Sequence, residues 1–138
     1  MRIVGEVVRH VEFPVKFERW VDFKELKEDR HGLSVVVQDR LGASIRCFWR
    51  GVLGYRVIDE GAYPELCRLV ARSPTAVFVL EGASFADEYV EFGLGMVPRE
   101  GFVHWVVGTT SELIEVLALV ALPLEFEVLP VEAPPQVR

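Results

Sequence analysis

Residues 33–50, LSVVVQDRLGASIRCFWR, place two β-rich runs on either side of a short polar break. Leu33 to Gln38 is dominated by Val35, Val36 and Val37, and from Ser44 onward Ile45, Cys47 and Trp49 alternate with Arg46, Phe48 and Arg50. β-branched and aromatic side chains recurring at period two belong to strands with one buried face. Asp39-Arg40-Leu41-Gly42 between them predicts a hairpin, because glycine reaches the left-handed conformation that reverses the chain.

On the N-terminal side, Val11, Phe13, Val15, Phe17, Val21 and Phe23 alternate with polar residues and Pro14, which predicts an antiparallel strand from Val11 to Phe23. Ile3 to Val8 is a shorter strand candidate. Lys24 to Gly32 reads as a charged connection with its turn at Asp29 to Gly32. On the C-terminal side Leu53, Tyr55 and Val57 share one side of a further strand, so three or four strands are expected to follow one another as a meander.

After Gly61 the period changes. Tyr63, Leu66, Cys67 and Val70 fall at helical spacing, with Pro64 suited to the first turn and Pro74 as a stop. Ala76 to Leu80 reads as a short strand, and Ser84 to Phe92 as a second helix with Ser84 as N-cap and Phe85, Tyr89 and Phe92 as its buried stripe. Phe102 to Val107 is a strand candidate with His104 and Val106 on one face and Val103, Trp105 and Val107 on the other. Ser111 to Leu122 fits either a helix, with Thr109 and Glu112 as a capping box, or a turn and a strand from Leu113 to Leu119. Leu124 to Leu129 alternates as a last strand, and the Pro-rich residues 130–138 are expected to be a loose tail.

With 138 residues, 51% of them hydrophobic, the composition suits a single domain over residues 1–129. The longest apolar run, Val116 to Leu124, contains Pro123 and falls short of the roughly 20 residues of a membrane-spanning helix. Glu6 stands where a signal peptide would be apolar, so a cytoplasmic protein with no membrane contact is expected. The net charge of −6 argues against nucleic acid as a partner. Residues 1–72 carry 13 basic and 11 acidic groups, a net +2, whereas residues 73–138 carry 2 basic and 10 acidic groups, a net −8. The acid is concentrated in the second half.

His10, His31 and His104 have no metal-ligand spacing with each other or with Cys47 and Cys67, and no nucleophile elbow, phosphate loop or dinucleotide fingerprint is present. No catalytic residue, metal or cofactor is therefore assigned. His104 is either a hydrogen-bonded interior side chain or a titrating group in a pocket. The densest run of distinctive residues is Phe48 to Gly51 followed by Tyr55 to Gly61. Within it Arg56 and Asp59 can pair, with Asp59 bracing a strand-to-helix turn, or Tyr55, Arg56, Asp59 and Glu60 can mark the rim of a binding groove.

Trp49-Arg50-Gly51, then Tyr55-Arg56-Val57-x-Asp59-Glu60-Gly61, then His104-Trp105-Val106-Val107 and Glu115-Val116-Leu117-Ala118 resemble a loosely defined family of small uncharacterised bacterial proteins. The resemblance covers about residues 48 to 120 and departs from the pattern at Trp105, where tyrosine is more usual. It implies a β-rich α+β domain and a strand over Leu113 to Leu119. It supplies no catalytic residue.

The expected fold is thus α+β: a strongly bent, mainly antiparallel β-sheet of seven to nine strands with one or two short helices. Its expected core holds Phe13, Phe17, Val35, Val37, Ile45, Cys47, Trp49, Tyr55, Val57, Leu66, Val70, Phe78, Val106 and Leu117. The leading functional expectation is a non-catalytic module whose acidic face binds a basic protein, similar to bacterial immunity proteins that cover a toxin. The alternative is a ligand-binding or hydrolytic domain whose pocket inside the sheet contains His104, Tyr55 and Glu115. A third reading is a homo-oligomeric structural protein.

Overall fold

The computed structural model describes residues 18–59, 68, 71, 73, 75–81, 84–93, 96 and 98–131, together with the backbone of 7–10. Among these residues nine strands divide between two antiparallel sheets: β1 (Val7–His10), β2 (Val21–Asp29), β3 (Gly32–Asp39), β4 (Ser44–Trp49), β5 (Val52–Asp59), β6 (Val77–Glu81), β7 (Phe102–Gly108), β8 (Glu112–Leu119) and β9 (Glu125–Leu129). One sheet has the order β2-β3-β4-β9 and the other β1-β6-β7-β8-β5. A helix, α1 (Ser84–Phe92), follows β6, and a 3-10 turn at Arg99–Gly101 leads into β7. The α+β class holds, but strands expected in one sheet are split between two.

The four-stranded sheet grows from the quoted stretch. β3 and β4 pair from Leu33↔Trp49 to Gln38↔Ser44. The Asp39 carboxylate accepts the amides of Leu41 and Ala43, each at 3.0 Å, and Gly42 takes φ +91° to close the turn. β2 extends beyond the sequence expectation, because Lys24 to Asp29 is strand and not connection. β2 is an edge strand with Glu25 and Lys27 turned to water, and charges on an edge discourage pairing with another chain. The turn itself lies where expected, with Asp29 paired to Gly32. Gly32 has φ +145°, and a Cβ there would overlap the Trp49 carbonyl oxygen and crowd Arg50. Gly32→Ala is therefore expected to cost about 2–3 kcal/mol in chemical denaturation, since strain and a backbone clash add.

β5 is the second departure. The chain leaves the meander after Trp49 and crosses to the five-stranded sheet, where β5 pairs with β8 from Val52↔Ala118 to Asp59↔Glu112. The two sheets face each other across one core of Val21, Leu33, Val35, Val37, Ile45, Cys47 and Trp49 on one side and Val77, Val107, Ile114, Val116 and Ala118 on the other. The Trp49 and Trp105 rings meet there at 6.2 Å. The thiol of Cys47 is pushed up to about 12 by burial, which marks it as an inert core group.

The five-stranded sheet is covered on its other face too. Phe85, Tyr89 and Val90 of α1 pack with buried Ala86 against Phe102, Leu117 and Leu53. β8 therefore lies between two layers, and Leu113 to Ala118 are all buried. A strand buried on both faces shows no alternation, which is why its sequence also suits a helix. Thr109 serves the β7–β8 turn and not a helix cap: its Oγ1 donates to the Glu112 carbonyl at 2.7 Å and accepts the Glu112 amide at 2.9 Å.

Two core expectations are corrected. Phe92 is 82% exposed because it closes α1 on the solvent side, and Val57 is exposed near the end of edge strand β5. Tyr55 is half-buried against the inter-sheet core. Phe13, Phe17, Leu66, Val70, Cys67, the Val11–Phe17 part of the first strand and most of the Tyr63 helix lie outside the described residues. No helix among the described residues is long and apolar enough to cross a membrane.

Candidate functional site

Three of the residues singled out from the sequence meet beneath α1. β7 places His104, β8 places Glu115 and β5 places Arg56, all on the face of the five-stranded sheet turned away from the other sheet. His104 Nε2 lies 2.9 Å from Glu115 Oε1, and Arg56 Nε donates to Glu115 Oε2. His104 and Glu115 are fully buried and Arg56 is mostly so. Phe85 of α1 roofs the cluster, with the Arg56 guanidinium 4.3 Å from its ring centre and the His104 ring edge-on at 5.7 Å.

Burial alone would push the Glu115 carboxyl up, but hydrogen bonds and charge from His104 and Arg56 outweigh it and hold the group below the usual carboxylate range. Glu115 is thus an anion shared by two donors. His104 Nδ1 is buried with no hydrogen-bond partner.

Tyr55 does not join this cluster. Strand alternation sends it to the opposite face, toward the inter-sheet core, while its neighbour Arg56 faces α1. Asp59 ends β5 opposite Glu112, exposed and on the other side of the strand from Arg56. Glu60 lies outside the described residues. Arg56 is held by Glu115, its direct partner across β5 and β8. That pairing follows from register, which no local spacing contains.

The acid of the second half is also distributed by the fold. Glu125 and Glu127 of β9 are met at 2.8 Å by Arg50, just past β4, and at 3.1 Å by Arg46 of β4, so the outer face of the four-stranded sheet mixes both signs. On α1, by contrast, Asp87, Glu88 and Glu91 are exposed and no basic residue occupies the last turn. Helical geometry sets these three and Phe92 on one arc opposite Phe85, Ala86, Tyr89 and Val90. Just beyond the helix, Met96 is 85% exposed. Sequence spacing put Phe92 in the buried stripe of this helix, whereas Phe92 and the carboxylates form one exposed surface together.

A groove of about 470 Å³ lies at the ends of β6 and β7, lined by Leu80, Glu81, Arg99, Glu100, Phe102 and His104 among others. Among the described residues no cluster of three or more His, Cys, Asp or Glu side chains is arranged to hold a metal ion. No protein-family model, curated protein or solved structure matches this chain.

Proposed function

We propose that the chain is a non-catalytic protein-binding module and that the solvent face of α1 is what it presents to a basic partner. The observation that carries this reading is the composition of that face: Asp87, Glu88 and Glu91 stand beside Phe92 and Met96, each more than four-fifths exposed. Locally the arrangement is unfavourable. Asp87 and Glu91 are like charges one turn apart, Glu88 and Glu91 approach the negative end of the helix, and large apolar groups are left in water. A basic partner with an apolar anchor relieves all three at once, since the carboxylates steer and hold it while Phe92 and Met96 are covered. Such a face suits an immunity-protein-like role, in which the chain covers a basic partner.

The ligand-binding or hydrolytic alternative asked for His104, Tyr55 and an acid such as Glu115 together in one pocket inside the sheet. Tyr55 on the far face and the roof of Phe85 over His104 speak for the binding module.

The test is capture of partners from the native host by the full chain and by the triple variant Asp87→Lys, Glu88→Lys, Glu91→Lys. A basic protein recovered by the parent should bind the variant at least about tenfold more weakly and should be released as salt rises. Equal recovery by the variant, retention that ignores salt, or no partner at all would remove the basis of the reading.

A further inference from the structure

We infer that the outer edge of β5 receives a second copy of this chain, the two β5 strands running antiparallel about Val57, so that the five-stranded sheet continues across a two-fold axis. The inference is independent of the reading of α1.

An edge strand turns a row of backbone N–H and C=O groups outward, and proteins either blunt that row or pair it. Among the described residues four strands are edges, β1 and β5 of one sheet and β2 and β9 of the other. Three of them are poor templates. β1 is four residues long. β2 carries charge at six of its nine positions and is bulged between Phe23 and Glu25. β9 has five residues, exposes Glu125 and Glu127, and runs into Pro130, which has no N–H to donate. β5 differs. It is eight residues long, and its bulge lies between Val52 and Gly54, which leaves Tyr55 to Asp59 regular. Of its two charged residues, Arg56 is turned inward to Glu115 beneath Phe85, and Asp59 is the last of the strand. Between them Val57 is 44% exposed, an apolar side chain in water on a strand edge.

Register selects the second copy as the occupant. Directly opposed residues of an antiparallel pair lie on one face, so a two-fold axis normal to the sheet passes through a residue opposed to its own copy. An axis at Arg56 sets guanidinium against guanidinium, and like charges directly opposed are destabilising. At Tyr55 it brings Val57 of the second copy against the bulged Leu53. At Ile58 it pairs three residues of each strand and sets Val57 against the Asp59 carboxylate. The axis at Val57 has none of these faults. It pairs the regular stretch Tyr55 to Asp59 with itself, opposes Arg56 to Ile58 and Tyr55 to Asp59 of the second copy, and lets the two exposed valines cover each other. No like charges meet.

The test is the mass of the full chain by sedimentation equilibrium, at concentrations up to about 1 mM. A short strand pair makes a small interface, so the expected dimer is weak and in exchange with monomer. Each copy carries a net charge of −6, so association should tighten as salt rises, the opposite sign to release of a basic partner from α1. Val57→Lys opposes two ammonium groups at the axis and should weaken the dimer at least about tenfold, whereas Val57→Thr, still β-branched, should stay within about threefold of the parent. Amide hydrogen exchange gives a second reading on the parent alone: exchange along Tyr55 to Asp59 should slow as concentration is raised. A mass of one chain throughout, a dimer that Val57→Lys leaves intact or that salt weakens, or β5 amides whose exchange ignores concentration would each overturn the pairing.

Discussion

Replacing Glu115 by alanine is expected to destabilise the protein by about 3–5 kcal/mol, because it removes a buried carboxylate that two donors share. Arg56 would lose this contact beneath Phe85, and His104 would lose the partner of its Nε2 while its Nδ1 already lacks one. Glu115→Gln keeps shape and one acceptor but removes the charge, and should cost less than alanine. Denaturant midpoints of the three proteins at neutral pH check the order. The pH dependence follows from the depressed carboxyl. A group titrating lower in the folded chain than in the unfolded one contributes stability above its unfolded value and loses it as pH falls through the folded value. The advantage of the parent over Glu115→Gln should therefore be complete at neutral pH, begin to shrink below the ordinary glutamate value of 4.5, and keep shrinking with further acid. A gap between the two proteins that stays constant into acid would contradict an ionised Glu115.

Trp49→Ala should show a loss of similar size, about 3–5 kcal/mol, for a different reason. Trp49 is fully buried, packs on Trp105 and stands at the inter-sheet core, where deleting the indole leaves a cavity between two rigid sheets. Its Nε1 is buried without a partner, so part of the side chain already works against stability. Trp49→Phe removes that donor and fills most of the space, and is expected to cost less than half as much as alanine. Thermal and denaturant unfolding of the pair separates the two terms. Equal destabilisation by phenylalanine and alanine would mean that the Nε1 group is satisfied in solution.

Much of the fold was legible because the relevant physics is local. The β3–β4 hairpin is written in Asp39 and Gly42, whose turn chemistry needs no distant residue. α1 announces itself by helical spacing, and β7 shows its two faces by simple alternation. Reading failed where burial was not one-sided. Lys24 to Asp29 looked like a connection because an edge strand can carry charge on residues that a central strand would bury. Leu113 to Leu119 was ambiguous because burial on both faces erases period, and there the resemblance pointed to the strand that β8 is.

The sequence by itself determined the α+β class, most of the strands, the helix at Ser84–Phe92, and the identity of the residues worth watching, His104, Glu115 and Arg56 among them. Tertiary structure alone decided their company. Which strand lies beside which, and in what register, is set by long-range pairing across dozens of residues. That pairing brought Arg56 to Glu115, sent Tyr55 to the opposite face, balanced Glu125 and Glu127 with arginines, and left the carboxylates of α1 without such neighbours on the helix. Local propensity ends with the element, whereas charge and burial depend on what the finished packing places within a few ångströms.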